Sequence, residues 1–148
     1  MLKLALKIVQ ESFANKTDKA GEPYINHLLR VCEKCPSEDL KTIALLHDLL
    51  EDCPEWNESM LREFFKYSVV DSVVALTHKP NQTYYDYISQ ILENENAISV
   101  KLCDLQDNMD ITRLAVLTQK DLERVAKYHA AYNRIKNHKT NLSNERIS

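Results

Sequence analysis

Apolar residues recur along this chain at three- and four-residue intervals, with polar connections between the stripes. Leu2, Ala5, Leu6, Val9 and Phe13 predict an amphipathic helix over about 2–14. The polar stretch 15–22 holds Gly21 and reads as a loop, and Pro23 suits the first turn of a second helix carrying Tyr24, His27, Leu28, Val31 and Cys35. Pro36 stops that helix and Ser37 caps a third, which the spacing carries unbroken through Leu40, Ile43, Ala44, Leu46, Leu49 and Leu50 to Cys53-Pro54. Shorter helices are expected over 58–65, 69–77 and 84–92, with a turn at 78–82, and a longer one over 97–111. Thr118 and Asp121 form a capping box before a final helix bearing Leu122, Val125, Tyr128, Ala131, Tyr132 and Ile135. The polar segment from Asn137 to Ser148 is expected to fray. Every predicted element is helical, so the expectation is an all-α, single compact bundle over 1–137 with a polar tail over 138–148.

Composition narrows the chemistry. The chain has 148 residues, which allows one domain and at most a tail. Gly21 is the only glycine, so neither a Walker loop nor a G-x-G-x-x-G dinucleotide loop can be built. Nineteen basic against 22 acidic residues give a formal charge of -3, with no global basic footprint for nucleic acid. No apolar run is long enough for a membrane span, and the N-terminus lacks a signal-peptide pattern, so the expected location is cytoplasmic, with no nucleic-acid or membrane partner. Cys32, Cys35, Cys53 and Cys103 lack a second ligand pair at zinc spacing and are expected to be ordinary thiols. Tyr84 and Tyr87 share a helix side and read as core edge, with the wall of a nucleotide pocket as the sharper alternative. His78, His129 and His138 read as solvated.

The third helix carries the strongest signal. His47, Asp48, Glu51 and Asp52 interrupt an otherwise apolar run, and the four-residue spacing of His47 with Glu51 and of Asp48 with Asp52 predicts one shared face. Burying three carboxylates together is costly unless a cation or donors compensate, and a divalent metal is the economical solution. Lys101, Asp104 and Asn108 form a second polar stripe, and His27 is a further candidate. Singly, His27 reads as a satisfied core or surface residue and Lys101–Asp104 as a helix ion pair; the cluster as a whole does not.

The segments 21–27 (GEPYINH), 44–52 (ALLHDLLED) and 100–109 (VKLCDLQDNM) occur in the order found in HD-domain metal-dependent phosphohydrolases. The chain resembles the RelA/SpoT-type hydrolase domain, which removes the 3′-pyrophosphate of (p)ppGpp. The resemblance spans nearly the whole chain and implies an HD-domain helical fold. It also implies a divalent metal, usually Mn²⁺, held by His27, His47, Asp48 and Asp104, with Glu51 and Asp52 positioning and deprotonating the attacking water. Asn108 matches a residue that contacts the nucleotide sugar. Lys19 stands where a phosphate-binding lysine is common, and Lys101 is the other basic candidate by motif. The length is too short for a synthetase domain, which suggests a small stand-alone hydrolase. A hydrolase of another nucleotide, or a non-catalytic metal- or nucleotide-binding module, are the alternatives. Asp18 and Asp110 stand where the long enzymes carry arginine, and each is expected to repel phosphate.

Overall fold

The computed structural model describes residues 1–147. Its helices are α1 (Leu2–Ser12), α2 (Ile25–Glu33), α3 (Glu38–Leu46), α4 (Leu49–Asp52), α5 (Glu58–Phe64), α6 (Tyr67–Ala75), α7 (Tyr84–Ile91), α8 (Glu95–Asn108) and α9 (Gln119–Ile147), with a 3₁₀ turn at Ile111–Arg113. Among the described residues the one β pairing is an isolated bridge between Thr17 and Pro23. The architecture is the all-α bundle that the periodicity predicts.

The hub is α3. Thr42, Ile43, Ala44, Leu45 and Leu46 are all buried, so this helix has no solvated face at its C-terminal end. It packs against α1, α2, α6 and α8, and α8 packs in turn against α9. Ser37 caps α3 as its sequence position predicts, accepting a bond from the Leu40 N–H. The Thr118–Asp121 capping box is also formed. Asp121 accepts from the Thr118 N–H at 2.8 Å, and the Asp121 N–H donates to the Thr118 hydroxyl at 3.2 Å.

Two elements differ from the periodicity. The helix predicted to run unbroken to Leu50 stops at Leu46, and a turn at His47-Asp48 separates it from α4. Asp48 sits at φ -102°, ψ -1°, in the bridge region rather than in helical geometry. The second difference is at the C-terminus. Instead of fraying, α9 continues to Ile147, since no glycine or proline interrupts the chain after Pro80. Most of its side chains beyond Lys136 are exposed, and Ser148 of the expected tail lies outside the described residues.

The loop between α1 and α2 is built around one side chain. Asp18 accepts the Ala20 N–H at 2.9 Å and the Glu22 N–H at 3.0 Å through the same carboxylate oxygen. The backbone closes in parallel, Asp18 N–H to Glu22 carbonyl at 2.8 Å and Gly21 N–H to Asp18 carbonyl at 3.0 Å. Gly21 takes φ +82°, which explains the placement of the only glycine here. The closed loop hands the chain to Tyr24 and His27.

Asn94 joins two parts of the bundle. Its side-chain oxygen caps α8 through the Ala97 N–H at 2.9 Å and accepts the Ser72 hydroxyl of α6 at 3.0 Å. Asn94→Ala removes the cap and leaves the buried Ser72 hydroxyl without that partner. The expected loss is about 1–3 kcal/mol in urea unfolding of the metal-free protein. A loss under a few tenths of that would show that neither bond matters to folding.

Candidate metal centre

Three helices deliver side chains to one buried point. His27 comes from α2, His47 and Asp48 from the turn after α3, and Asp104 from α8. The ring nitrogens of His27 and His47 and a carboxylate oxygen of Asp104 lie within 4.8 Å of one another. His27 Nε2 is 2.9 Å and His47 Nε2 3.2 Å from Asp104 Oδ1. Asp48 Oδ2 completes the group, 3.2 Å from His47 Nε2 and 3.8 Å from His27 Nε2. Metal–ligand bonds of about 2.1 Å place neighbouring donors about 3–3.4 Å apart, so these spacings suit a shared divalent cation.

The turn at His47-Asp48 explains how adjacent residues share a centre. In a regular α-helix neighbouring side chains diverge by about 100° and do not meet. Breaking the helix lets both point inward. The expectation of a single face for His47, Asp48, Glu51 and Asp52 is corrected accordingly. His47 and Asp48 face the centre, whereas Glu51 reaches the His78 backbone N–H at 2.5 Å and Asp52 lines a separate cavity with Lys16, Thr17 and Tyr24.

Hydrogen bonds around the centre set the protonation of both imidazoles. His47 Nδ1 lies 2.5 Å from the Ala44 carbonyl, an acceptor only, so Nδ1 carries the proton and Nε2 offers a lone pair inward. His27 Nδ1 lies 2.6 Å from Asp107 Oδ2. His27 Nε2 is buried and has no hydrogen-bond partner of good geometry, an orphaned donor atom aimed at two carboxylates. The residues present therefore fit a divalent cation. Burial lowers the His27 pKa, but the close carboxylates of Asp104 and Asp107, with the charge of Asp48, outweigh it and raise the pKa to about 10. These acids call for positive charge at the centre, and a bound cation competes with the proton for it.

The supporting shell is equally specific. Tyr24 donates its hydroxyl to Asp48 Oδ2 at 2.5 Å. Asp104 uses its other oxygen to bind the Lys101 ammonium at 2.8 Å, and Asn108 Nδ2 donates to Asp104 Oδ1 at 3.1 Å. Burial works against both charges of the Lys101–Asp104 pair. Their mutual attraction, with the histidines on the Asp104 side, nevertheless holds Asp104 well below and Lys101 well above the ordinary values. Lys101 is 7% exposed and also donates to the Tyr87 hydroxyl at 3.3 Å, so it serves Asp104 and does not open onto the cavity beside the centre. That cavity, about 440 Å³, is lined by Lys19, Tyr24, His27, Asn108, Arg124 and Tyr128 among others. Lys19 and Asn108 thus share a wall.

Several contributors were invisible to sequence reasoning. Asp107 looks like one more acid on a half-polar helix, although its three-residue spacing from Asp104 is the available signal. Arg30 and Arg113 line the cavity and bind Asp107; nothing in their sequence context marks them. His78, expected to be solvated, stacks on Tyr87 with ring centroids 4.7 Å apart, and its N–H anchors Glu51. The cysteines are free thiols, as expected. Tyr84 and Tyr87 lie at the core edge, with the Tyr87 hydroxyl on the Leu76 carbonyl at 2.7 Å. Asp18 and Asp110 are not loose side chains. Asp18 accepts two loop N–H groups, which leave its charge in place, and Asp110 accepts from Thr112 and from the Arg113 cation.

No protein-family model matches the chain. Two curated relatives do. The guanosine-3′,5′-bis(diphosphate) 3′-pyrophosphohydrolase of Borreliella burgdorferi is 31% identical over 137 residues, covering 83% of this chain and 20% of that protein. The protein of the same name in Aquifex aeolicus is 33% identical over 135 residues, covering 83% of this chain and 19% of that one. The chain belongs to the SpoT-type HD hydrolase family. It spans about a fifth of the length of the curated relatives it matches. The family fold is seen independently in a solved metazoan SpoT ortholog, described as hydrolysing ppGpp. That structure superposes with a TM-score of 0.74 over 90% of this chain and 84% of the other, at 19% identity.

The fit of the centre to a cation is checked by calorimetry. Mn²⁺ or Zn²⁺ should bind one per chain. His47→Ala and Asp104→Asn should each weaken binding at least about tenfold, since each removes a donor or its charge. Wild-type affinity in both variants would remove the centre.

Proposed function

We propose that the chain is a metal-dependent hydrolase that removes the 3′-pyrophosphate from (p)ppGpp, with Mn²⁺ as the working ion. The observation that carries the reading is the convergence of His27, His47, Asp48 and Asp104 beside a cavity of about 440 Å³, within the roughly 300–1,000 Å³ usual for small-molecule sites. The curated relatives' names support the substrate. When bound, the divalent ion supplies Lewis-acid charge at the phosphoryl oxygens and makes water acidic enough to attack at neutral pH. Imidazole and carboxylate donors suit Mn²⁺ without excluding Fe²⁺ or Zn²⁺.

The chain's own groups divide the remaining work. Glu51 is held by the His78 N–H, whereas Asp52, its neighbour in sequence, lines the separate cavity with Lys16. Desolvation, then the charges of Asp48 and Asp52, raise the Glu51 pKa against the His78 bond, which lowers it. Desolvation and Asp48 likewise raise Asp52. A carboxylate with a raised pKa is a better proton acceptor, so the proton of an attacking water goes to one of the two, which face different ways, and not to a joint pair. Along the cavity wall, Lys19 is desolvated and feels Arg124 and Lys127, which lowers its pKa and marks a local concentration of positive charge. That wall suits the phosphates remote from the reacting group, with Asn108 toward the sugar and Tyr128 beside it. Both Asp121 oxygens are occupied, one by the Thr118 cap and one by Arg124.

Steady-state assays with ppGpp, pppGpp, GTP and GDP in Mn²⁺, Mg²⁺ and EDTA test the reading. Pyrophosphate release from ppGpp in Mn²⁺, lost in EDTA, is expected. Glu51→Ala and Asp52→Ala should each cut kcat by roughly 10²–10⁴. An NMR titration of the metal-free protein should find Glu51 and Asp52 protonating above the ordinary carboxylate range as pH falls, because desolvation and the Asp48 charge favour the neutral forms. Turnover of GTP with none of ppGpp would remove the alarmone from the reading.

Asp18→Arg supplies a second check. Were Asp18 merely a repulsive charge, the change would lower KM. Because Asp18 carries two loop N–H bonds, the expected outcome is a higher KM with kcat nearly kept. A lowered KM would show that the loop bonds are dispensable and that charge at position 18 controls affinity.

A further inference from the structure

We infer that Asp107 is a positioning residue for the metal centre. Its carboxylate fixes the His27 ring in the one tautomer and orientation that aims Nε2 at Asp48 and Asp104. The inference rests on reading the cluster as a metal centre and adds a control over it. Asp107 lies three residues beyond Asp104, so α8 presents both carboxylates to His27, one to each ring nitrogen. Asp107 Oδ2 is 2.6 Å from Nδ1, while Asp104 Oδ1 is 2.9 Å from Nε2. An ionised carboxylate only accepts, so the Nδ1 atom facing Asp107 is the protonated one.

Asp107 is itself clamped. Arg30 donates from Nε to Oδ1 at 2.8 Å and from Nη2 to Oδ2 at 3.1 Å, in forked geometry. The Arg113 guanidinium stands 3.4 Å from Oδ2 and donates to the Asp107 backbone carbonyl at 3.0 Å. Arg30 follows His27 by one helical turn on α2, so one helix face carries both the ligand and the group that locks the ligand's partner. Asp107 and His27 are each 4% exposed although both edge the cavity, which leaves little room for water to replace the bond. Turning the ring over would place carbon against Asp107 and abandon that hydrogen bond at a largely buried position. The lock therefore prepays the orientation of His27 before any ion arrives, and an anionic acceptor on Nδ1 makes Nε2 a stronger donor.

The test uses the full chain and two substitutions. Asp107→Asn keeps an acceptor for the Nδ1 proton, and Asp107→Leu keeps the size and removes it. Zn²⁺ and Mn²⁺ affinities are measured by calorimetry, with circular dichroism to follow folding. Asp107→Leu should bind about 10–100-fold more weakly, and Asp107→Asn should recover most of that loss. A role in packing alone would not give that rescue. Should Asp107→Leu fail to fold, ¹⁵N spectra of the Zn²⁺-loaded wild type decide: His27 should show a protonated Nδ1 and a metal-bound Nε2. An unprotonated Nδ1, or Asp107→Leu binding as tightly as wild type, overturns the inference and leaves the metal centre standing. Wild type that binds neither ion overturns the metal centre and the inference with it.

Discussion

Everything near the centre of this bundle is arranged around the charge of Asp104. The carboxylate is 3% exposed, and an isolated ion there would be prohibitively costly. One oxygen is balanced by the Lys101 ammonium, the other faces two imidazoles and the Asn108 amide. That division requires α8 to lie against α2 and the end of α3, which is how the helices are packed. Removing one partner from such a group is worse than never having built it, because the remaining charge stays buried.

The same arrangement accounts for the break in the hub helix. An unbroken helix through His47 and Asp48 would satisfy local propensity and bury one of the two while turning the other away. The turn forgoes regular helical geometry at this point. In exchange, the His47 Nδ1 proton finds the Ala44 carbonyl, and Asp48 meets the Tyr24 hydroxyl. The break in the helix and the candidate chemistry coincide, as expected where local preference yields to a site.

Sequence pattern was a good guide to elements and a partial guide to the site. Helices were legible because apolar periodicity reports burial of one face, and the caps at Ser37 and Thr118 were legible because their chemistry is local. His47 and Asp48 stood out because ionisable residues interrupted an apolar run, and Asp104 because it sat in a second polar stripe, whereas His27 joined them as a ligand only through the family resemblance. The break at residue 47 was not, since its cause is a set of partners 24 to 57 residues away. Asp107, Arg30 and Arg113 escaped for the same reason: each is an ordinary helix-surface residue until the tertiary fold brings the three together. For Asp18 the charge was visible in the sequence and its two loop hydrogen bonds were not.

Those bonds bear on the recognition of phosphate proposed for the cavity wall. Arg30, Arg113 and Arg124 all line the cavity, and each is already paired with an aspartate. A phosphate approaching this wall meets guanidinium groups whose charge is largely spent locally. Beyond the charge of Lys19, it gains affinity by taking over hydrogen bonds that an exposed partner can surrender to water. Asp110, mostly exposed, can release Arg113 at little cost, whereas buried Asp107 cannot release Arg30 without uncovering the His27 contact. The two arginines on one carboxylate are therefore unequal: Arg113 divides its contacts between Asp110 and Asp107, whereas Arg30 spends both its bonds on the Asp107 carboxylate that holds His27.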